Sequence, residues 1–172
     1  NREQFEAYAA SFGVVITSYH ADNGRFAKRI FLDHPALHGQ QVSLCGVNAH
    51  FQNGIAEKQI RDLTEQARTS LLHAVTRWTW WSSAVTIHLW PYALRFANET
   101  HNSNPSLTRD HTPLELFSGA PVRPQILSFR PPFCPAYVLH SGLQGGGKRP
   151  NKWVRRSRLA IYLGSSPRHA RP

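Results

Sequence analysis

The chain has 172 residues, of which 41% are apolar and 11% aromatic, so it can bury a core and is not expected to be disordered. Twenty lysines and arginines against ten acidic residues give a formal net charge of +10, which favours a polyanionic partner: DNA, RNA or an anionic membrane. Two cysteines exclude a disulfide-dense secreted scaffold, and no apolar run approaches the roughly 20 residues that span a bilayer.

The first segment predicts a helix followed by a strand that ends near an acidic residue. The helix is indicated by four residues at helical spacing, Phe5, Tyr8, Ala9 and Phe12. Gly13 supplies a stop signal, and β-branched and aromatic residues over 14–20 predict a buried strand. The turn sequence Asp22-Asn23-Gly24 follows. Asp22 is therefore predicted at the carboxyl end of a strand, where open α/β sheets bind ligands.

The middle of the chain contains the clearest helix. Before it, residues 25–41 predict only a short helix interrupted by Pro35 and Gly39, and residues 42–45 predict a short strand. The long helix, with Asn53 as its predicted N-cap, has apolar residues at alternating spacings of four and three: Ala56, Ile60, Leu63, Ala67, Leu71 and Ala74.

Two further helices are predicted before residue 120. The segment from about 82 to 98 is apolar almost all round, which predicts a buried helix with a kink at Pro91. Residues 112–119 predict a short capped helix, with Pro113 near its start and Gly119 just past its end. The tryptophans at 78, 80 and 81 are predicted to pack a helix junction, although they could also stack on bases.

The composition changes after residue 120, where prolines cluster and glycines occupy 145–147. Two strand candidates, 136–139 and 159–163, flank a basic run that includes Lys152, Arg155 and Arg156. We therefore predict a core over 1–120, and over 121–172 a linker with a small basic β module. The basic run is either a nucleic-acid-binding face or an ordinary solvated surface.

Two carboxylates stand out as a candidate site. Glu57 lies one turn into the long helix, on a polar stripe with Arg61, Thr64 and Arg68. Carboxylates bind hard cations such as Mg²⁺, and an arginine row can follow a phosphate backbone. The simpler alternatives are a plain Asp-Asn-Gly turn at Asp22 and a solvated helix face with an i,i+4 pair at Glu57.

The segments DNGRF at 22–26 and QNGIAEK at 52–58 together resemble the second and third acidic residues of the retroviral-type integrase core, most closely the copia-type retrotransposon branch. Downstream segments also resemble that family, the last two of them its small SH3-like module: 67–72, 89–93, 112–119, 133–138 and 158–164. The resemblance implies a partial RNase H-like α/β fold with a truncated SH3-like appendage.

The resemblance also implies the chemistry. Asp22 and Glu57 would be catalytic and would bind Mg²⁺ or Mn²⁺, for phosphodiester transfer between element ends and target DNA in the nucleus. DNA would be held by the basic residues Lys58, Arg61, Arg68, Lys152, Arg155 and Arg156. The intact parent protein is expected to be an oligomer. No membrane association or secretion is expected.

Two departures from the family affect the expected activity. The 34 residues between Asp22 and Glu57 are one fewer than the family usually has. The family's first catalytic aspartate would lie ahead of residue 1, and the chain contains no methionine, so we expect an inactive internal fragment of a longer chain. The alternative is a non-catalytic nucleic-acid-binding remnant of a decayed element, and a third possibility is a purely structural domain. A zinc site at His34, His38 and Cys45 is disfavoured, because it lacks a fourth ligand at suitable spacing.

Overall fold

The computed structural model describes residues 2–46, 50–105, 110–121, 130–144 and 151–164. It is a mixed α/β structure, as the sequence predicts, with the elements α1 Arg2–Ala10, β1 Ser18–Ala21, α2 Arg29–Leu37, β2 Gln41–Leu44, α3 Gly54–Arg77, α4 Trp90–Ser103, α5 Pro113–Ser118, β3 Pro135–Leu139, α6 Ser141–Gln144 and β4 Ser157–Ile161. The residues form two compact units, one of 1–62 with 102–123 and one of 63–101 with 124–172. The predicted domain division at residue 120 stays a prediction.

The first unit contains a parallel strand pair. β1 pairs with β2, from Ser18 opposite Gln41 to Ala21 opposite Leu44. Two parallel strands cannot be joined by a tight turn, and α2 provides the crossover between them. As a result, the carboxyl ends of β1 and β2 lie side by side at the same edge.

The prediction of a buried strand over 14–20 is wrong in extent and in burial. The strand covers only Ser18–Ala21, and the side chains before it alternate between exposed and half-buried, with Val15 80% exposed. Within the described residues β1 has one neighbouring strand, β2, and the ladder is short because β2 covers only Gln41–Leu44. β-branched residues favour a pleated surface, but a strand also needs a paired neighbour along its length.

The helices α2 and α3 occupy the predicted segments. α2 contains the buried Pro35 near its end, and Gly39 follows at a φ of +64°, a left-handed conformation that glycine adopts without strain. α3 is a continuous 24-residue helix, preceded by a 3₁₀ turn at His50–Asn53. Of its predicted apolar face, Ala67 and Ala74 are buried, whereas Ile60 is 65% exposed.

The core of the second unit is built mainly from small side chains. The buried cluster comprises Ala67, Ala74, Val85, Ala93, Ala97 and Phe133. Phe133 is the largest of these, is 1% exposed, and has a φ of +62°. Ile161 and Leu163 pack against the cluster from the end of β4 and just beyond it, so the β3–β4 region takes part in this core.

The predicted helix over 82–98 is wrong at its start and in its burial. The segment begins with 3₁₀ turns at Thr79–Ala84 and Ile87–Leu89, and the α-helix starts only at Trp90. Pro91 therefore lies in the first turn, where its missing N–H costs no hydrogen bond, rather than at a kink. The buried residues of α4 are alanines, while Trp90 stays 55% exposed.

The short elements near the end match their predictions. α5 begins with a capping box, in which the Thr112 hydroxyl accepts from the Glu115 N–H and the Glu115 carboxylate accepts from the Thr112 N–H, and it ends at Gly119 with a φ of +65°. The two predicted strands form the antiparallel pair β3–β4, with Tyr137 opposite Leu159. Among the described helices, none combines the length and apolar character that crossing a bilayer requires.

Candidate functional site

Asp22 follows directly after the last residue of β1, at the carboxyl edge of the parallel pair. The Cys45 N–H donates to the Ala21 carbonyl at 2.9 Å, which continues the ladder to this edge. The chain then folds back closely, since a Cβ at Gly24 would stand 3.1 Å from Asp22 Oδ2. Glycine at 24 thus lets the turn approach the carboxylate, and Asp22 is half-buried.

Glu57 lies in the first turn of α3, and the approach to that helix is attached to the same edge. The Gly46 N–H, two residues past β2, donates to Gln52 Oε1 at 2.9 Å. Glu57 is exposed and lies three residues after the helix start, or about 4.5 Å along the axis. The elements that carry the two carboxylates therefore both arise from the carboxyl edge of β1 and β2. The close approach of the two carboxylates themselves stays a prediction.

A histidine that the sequence analysis missed lies next to Asp22 on β1. His20 Nδ1 is 2.8 Å from Ser43 Oγ, and the Cys45 Sγ is 3.6 Å from His20 Nε2. The parallel register places His20 opposite Ser43, which no local pattern indicates. The hydroxyl, imidazole and thiol thus form a polar group across the strand pair, and the imidazole is two residues ahead of the candidate acid in the chain.

The disfavoured zinc combination does not assemble. His34 stacks on His38 with 4.2 Å between the ring centroids and contacts Glu6, whereas Cys45 contacts His20. Across the described ranges, no three His, Cys, Asp or Glu side chains gather into a group that could hold a metal ion.

The basic residues predicted along α3 differ in their surroundings. Lys58 Nζ lies 2.7 Å from Asp62, and Arg68 lies 3.9 Å from Glu65. Arg61 is exposed and makes no ion pair within the described segments. Both ion pairs are solvent-exposed and weak, so Lys58 and Arg68 can exchange their partners for phosphate at little cost. Arg61 is the residue most ready to contact an anion.

The basic residues predicted over 152–156 come just before β4 in the chain. Arg155 and Arg156 are exposed, and the Arg156 carbonyl accepts from the His140 N–H at 3.0 Å. Lys152 Nζ lies 5.8 Å from the centre of the Trp153 ring, which is 88% exposed. All three predicted cations are therefore accessible to a polyanion.

A hydrogen-bonded network around Glu6 attaches α1 to the strand pair. The Tyr19 hydroxyl donates to Glu6 Oε1 at 2.5 Å, and the Gln40 amide donates to the same oxygen at 3.1 Å. His34 Nε2 lies 3.2 Å from the other carboxylate oxygen. The hydrogen bonds from Tyr19 and Gln40 lower the pKa of Glu6 from an ordinary 4.5 to about 2. Burial, together with the hydrogen bond to Glu6, raises the pKa of Tyr19 to about 12.

These shifts predict how the stability of the first unit depends on pH. The folded-state pKa of Glu6 is depressed, so its ionised form stabilises the fold above about pH 4.5, and this contribution is lost as the pH falls towards 2. We expect Glu6→Gln to lower the free energy of unfolding at pH 7 and to make its decline between pH 4.5 and 2 shallower. Urea unfolding followed by far-ultraviolet circular dichroism measures both effects.

The matched control is Glu3→Gln, an exposed carboxylate on the same helix. It should keep the wild-type acid dependence. If Glu6→Gln and Glu3→Gln gave the same pH profile, Glu6 would contribute nothing through its ionisation.

Searches against protein-family models, curated proteins and solved structures found no significant match to this chain.

Proposed function

We propose that the chain contains part of the catalytic core of a copia-type retrotransposon integrase, carrying two of the three acidic residues that the resemblance implies. The observation that carries the proposal is the placement of Asp22 at the carboxyl end of a parallel strand, with the approach to the Glu57 helix hydrogen-bonded to the end of the neighbouring strand. Open α/β sheets bind ligands at that edge. The RNase H-like fold, the SH3-like character of the β3–β4 region, the nuclear site of action and an oligomeric parent protein belong to the same proposal.

The donor chemistry at this edge fits a hard cation. Asp22 and Glu57 offer carboxylate oxygens, the ligands that Mg²⁺ and Mn²⁺ prefer, and they would hold such an ion together with the third carboxylate of the parent protein. When bound, the ion would activate a water or a DNA 3′-hydroxyl and stabilise the leaving oxygen. The absence of a Cβ at Gly24 leaves room beside the Asp22 carboxylate.

A strand-transfer assay tests the catalytic proposal. The chain alone is expected to be inactive with either metal, because the sequence matches two of the three implied acids. A longer chain that includes an upstream strand with its aspartate is expected to join DNA ends to target DNA.

The second candidate is a nucleic-acid-binding protein without metal chemistry. It is favoured by the net charge of +10 and by the exposed arginines on α3 and before β4. Both candidates require nucleic-acid binding, and only the first requires Asp22 and Glu57. The strand-transfer assay therefore distinguishes the two candidates, whereas a binding measurement tests the property that both require.

We expect duplex DNA binding to weaken steeply with salt. Each phosphate that a lysine or arginine neutralises should contribute about −0.9 to the slope of log affinity against log salt concentration. Arg61→Ala should reduce the magnitude of the slope by about one and weaken all sequences alike. Fluorescence anisotropy with labelled duplexes over a salt series measures both quantities.

Arg29→Ala is the charge-matched control, since Arg29 is exposed on α2 and is not one of the residues proposed to bind DNA. It should leave the slope nearly unchanged. The contribution of the basic run is tested by Arg156→Ala rather than by deletion, because removing β4 would also remove Ile161 and Leu163 from the core. A flat slope for the wild type would contradict both candidates.

A further inference from the structure

A pocket lies on the β3–β4 pair, and contacts with the phosphates of a DNA duplex would not need it. Its volume is about 650 Å³, within the range of pockets that hold small ligands. The lining residues are Tyr137, His140, Arg155, Ser157, Arg158 and Leu159. The pocket thus combines an aromatic ring and an apolar side chain with cationic and hydroxyl groups.

The ring in this pocket is unusually accessible for a residue in the middle of a strand. Tyr137 is 78% exposed and lies directly opposite Leu159 in the antiparallel register. Side chains of directly opposed residues project from the same face of an antiparallel pair. Tyr137 therefore offers a flat aromatic face beside the partly buried Leu159.

The polar side of the pocket is positioned by the backbone. The His140 N–H donates to the Arg156 carbonyl at 3.0 Å, one step beyond the pairing of Leu139 with Ser157. This bond extends the ladder and fixes the segment that contains Arg155 beside the pocket. A guanidinium and a hydroxyl are common phosphate-binding groups.

We propose that this pocket binds one unpaired nucleotide of a single-stranded nucleic acid, with the base stacked on Tyr137 and its phosphate held by Arg155. A base in a duplex is already paired and stacked, whereas an unpaired base can lie flat on an exposed ring. The inference rests on the proposed function only in that the ligand is a nucleic acid. It adds a preference for unpaired nucleotides at a defined place.

The test compares two probes of equal phosphate charge. One is a 5′-phosphorylated oligothymidylate of about ten nucleotides, within the usual site size of single-strand binders, and the other is the same strand with abasic sugars. Stacking of one base predicts about 5- to 150-fold tighter binding of the base-bearing strand by the wild type. Tyr137→Ala should remove this difference, and Tyr137→Phe should retain it. Duplex binding should be unchanged in both variants.

Two matched controls define the site. Tyr8→Ala changes a half-exposed tyrosine outside the pocket and should keep the wild-type preference. Arg155→Gln should weaken both strands more than Arg156→Gln does, because Arg155 lines the pocket and Arg156 does not.

The proposal is overturned if the wild type binds neither strand, if it binds the two equally, or if Tyr137→Ala keeps the difference. Equal binding would make the pocket a plain anion-binding surface. If the base-stacking proposal is wrong, the predictions of salt-dependent duplex binding and of strand transfer are not affected. If the longer chain did not catalyse strand transfer but the protein still bound the base-bearing strand more tightly, the integrase proposal would be contradicted and the nucleotide-binding proposal would stand.

Discussion

If the proposed integrase function is correct, Glu57→Gln is expected to lower strand transfer at least a hundredfold in a longer protein that adds a strand with the third acidic residue to this chain. A metal-bound carboxylate contributes several kcal/mol to the stabilisation of the transition state, and each 1.36 kcal/mol corresponds to a factor of ten in rate. The amide keeps the size of the side chain but removes its charge, so the helix should persist. The rate of joining labelled DNA ends to a target plasmid with Mg²⁺ or Mn²⁺ is the measurement.

Asp22→Asn should have an effect of the same size, since the two carboxylates are proposed to act on the same ions. The matched control is Asp33→Asn, an exposed aspartate on α2 of the same unit, which should leave the rate within a few-fold of the wild type. Wild-type rates in Glu57→Gln, or robust joining by the 172-residue chain alone, would contradict the catalytic assignment.

Phe133→Ala is expected to destabilise the second unit by about 3–5 kcal/mol. Phe133 is 1% exposed and is the largest side chain in a core of alanines and one valine. Removing the ring loses its transfer free energy and leaves a cavity that the surrounding side chains fill only in part. All five tryptophans belong to this unit, and their fluorescence during urea unfolding therefore reports on it.

Two further variants separate packing from backbone conformation. Phe133 has a φ of +62°, where a non-glycine residue costs on the order of 1–2 kcal/mol, so Phe133→Gly should be no less stable than Phe133→Ala. Tyr137→Ala, at a 78% exposed ring in the same unit, should change the stability by less than about 0.5 kcal/mol. Equal losses at Phe133 and Tyr137 would contradict the assignment of Phe133 to the core.

The elements best predicted from the sequence depend on contacts within a few residues. The 3.6-residue periodicity placed α3, and the Thr112 cap with its glycine stop placed α5. Both signals act along the chain, through helical hydrogen bonds and caps, and need little help from distant residues. The position of Asp22 at the end of a strand followed in the same way from a turn signal.

The elements that were mispredicted depend on what lies beside them. The β-branched run before Ser18 lacks a strand ladder because its neighbour, β2, is short. The start of α4 moved to Trp90, since a proline fits the first turn of a helix better than its interior. In both cases the type of secondary structure was predicted correctly. The extent of the strand depended on its neighbouring strand, and the start of the helix depended on the backbone of Pro91.

By itself, the sequence determined the mixed α/β class, the long helix and the net positive charge of this protein, because these follow from composition and local spacing. Only the tertiary structure decided which side chains meet. Glu6 and Gln40 are separated by 34 positions in the chain, and His20 and Cys45 by 25, yet each pair is in contact. Such contacts depend on strand register and helix packing, which short-range patterns do not encode.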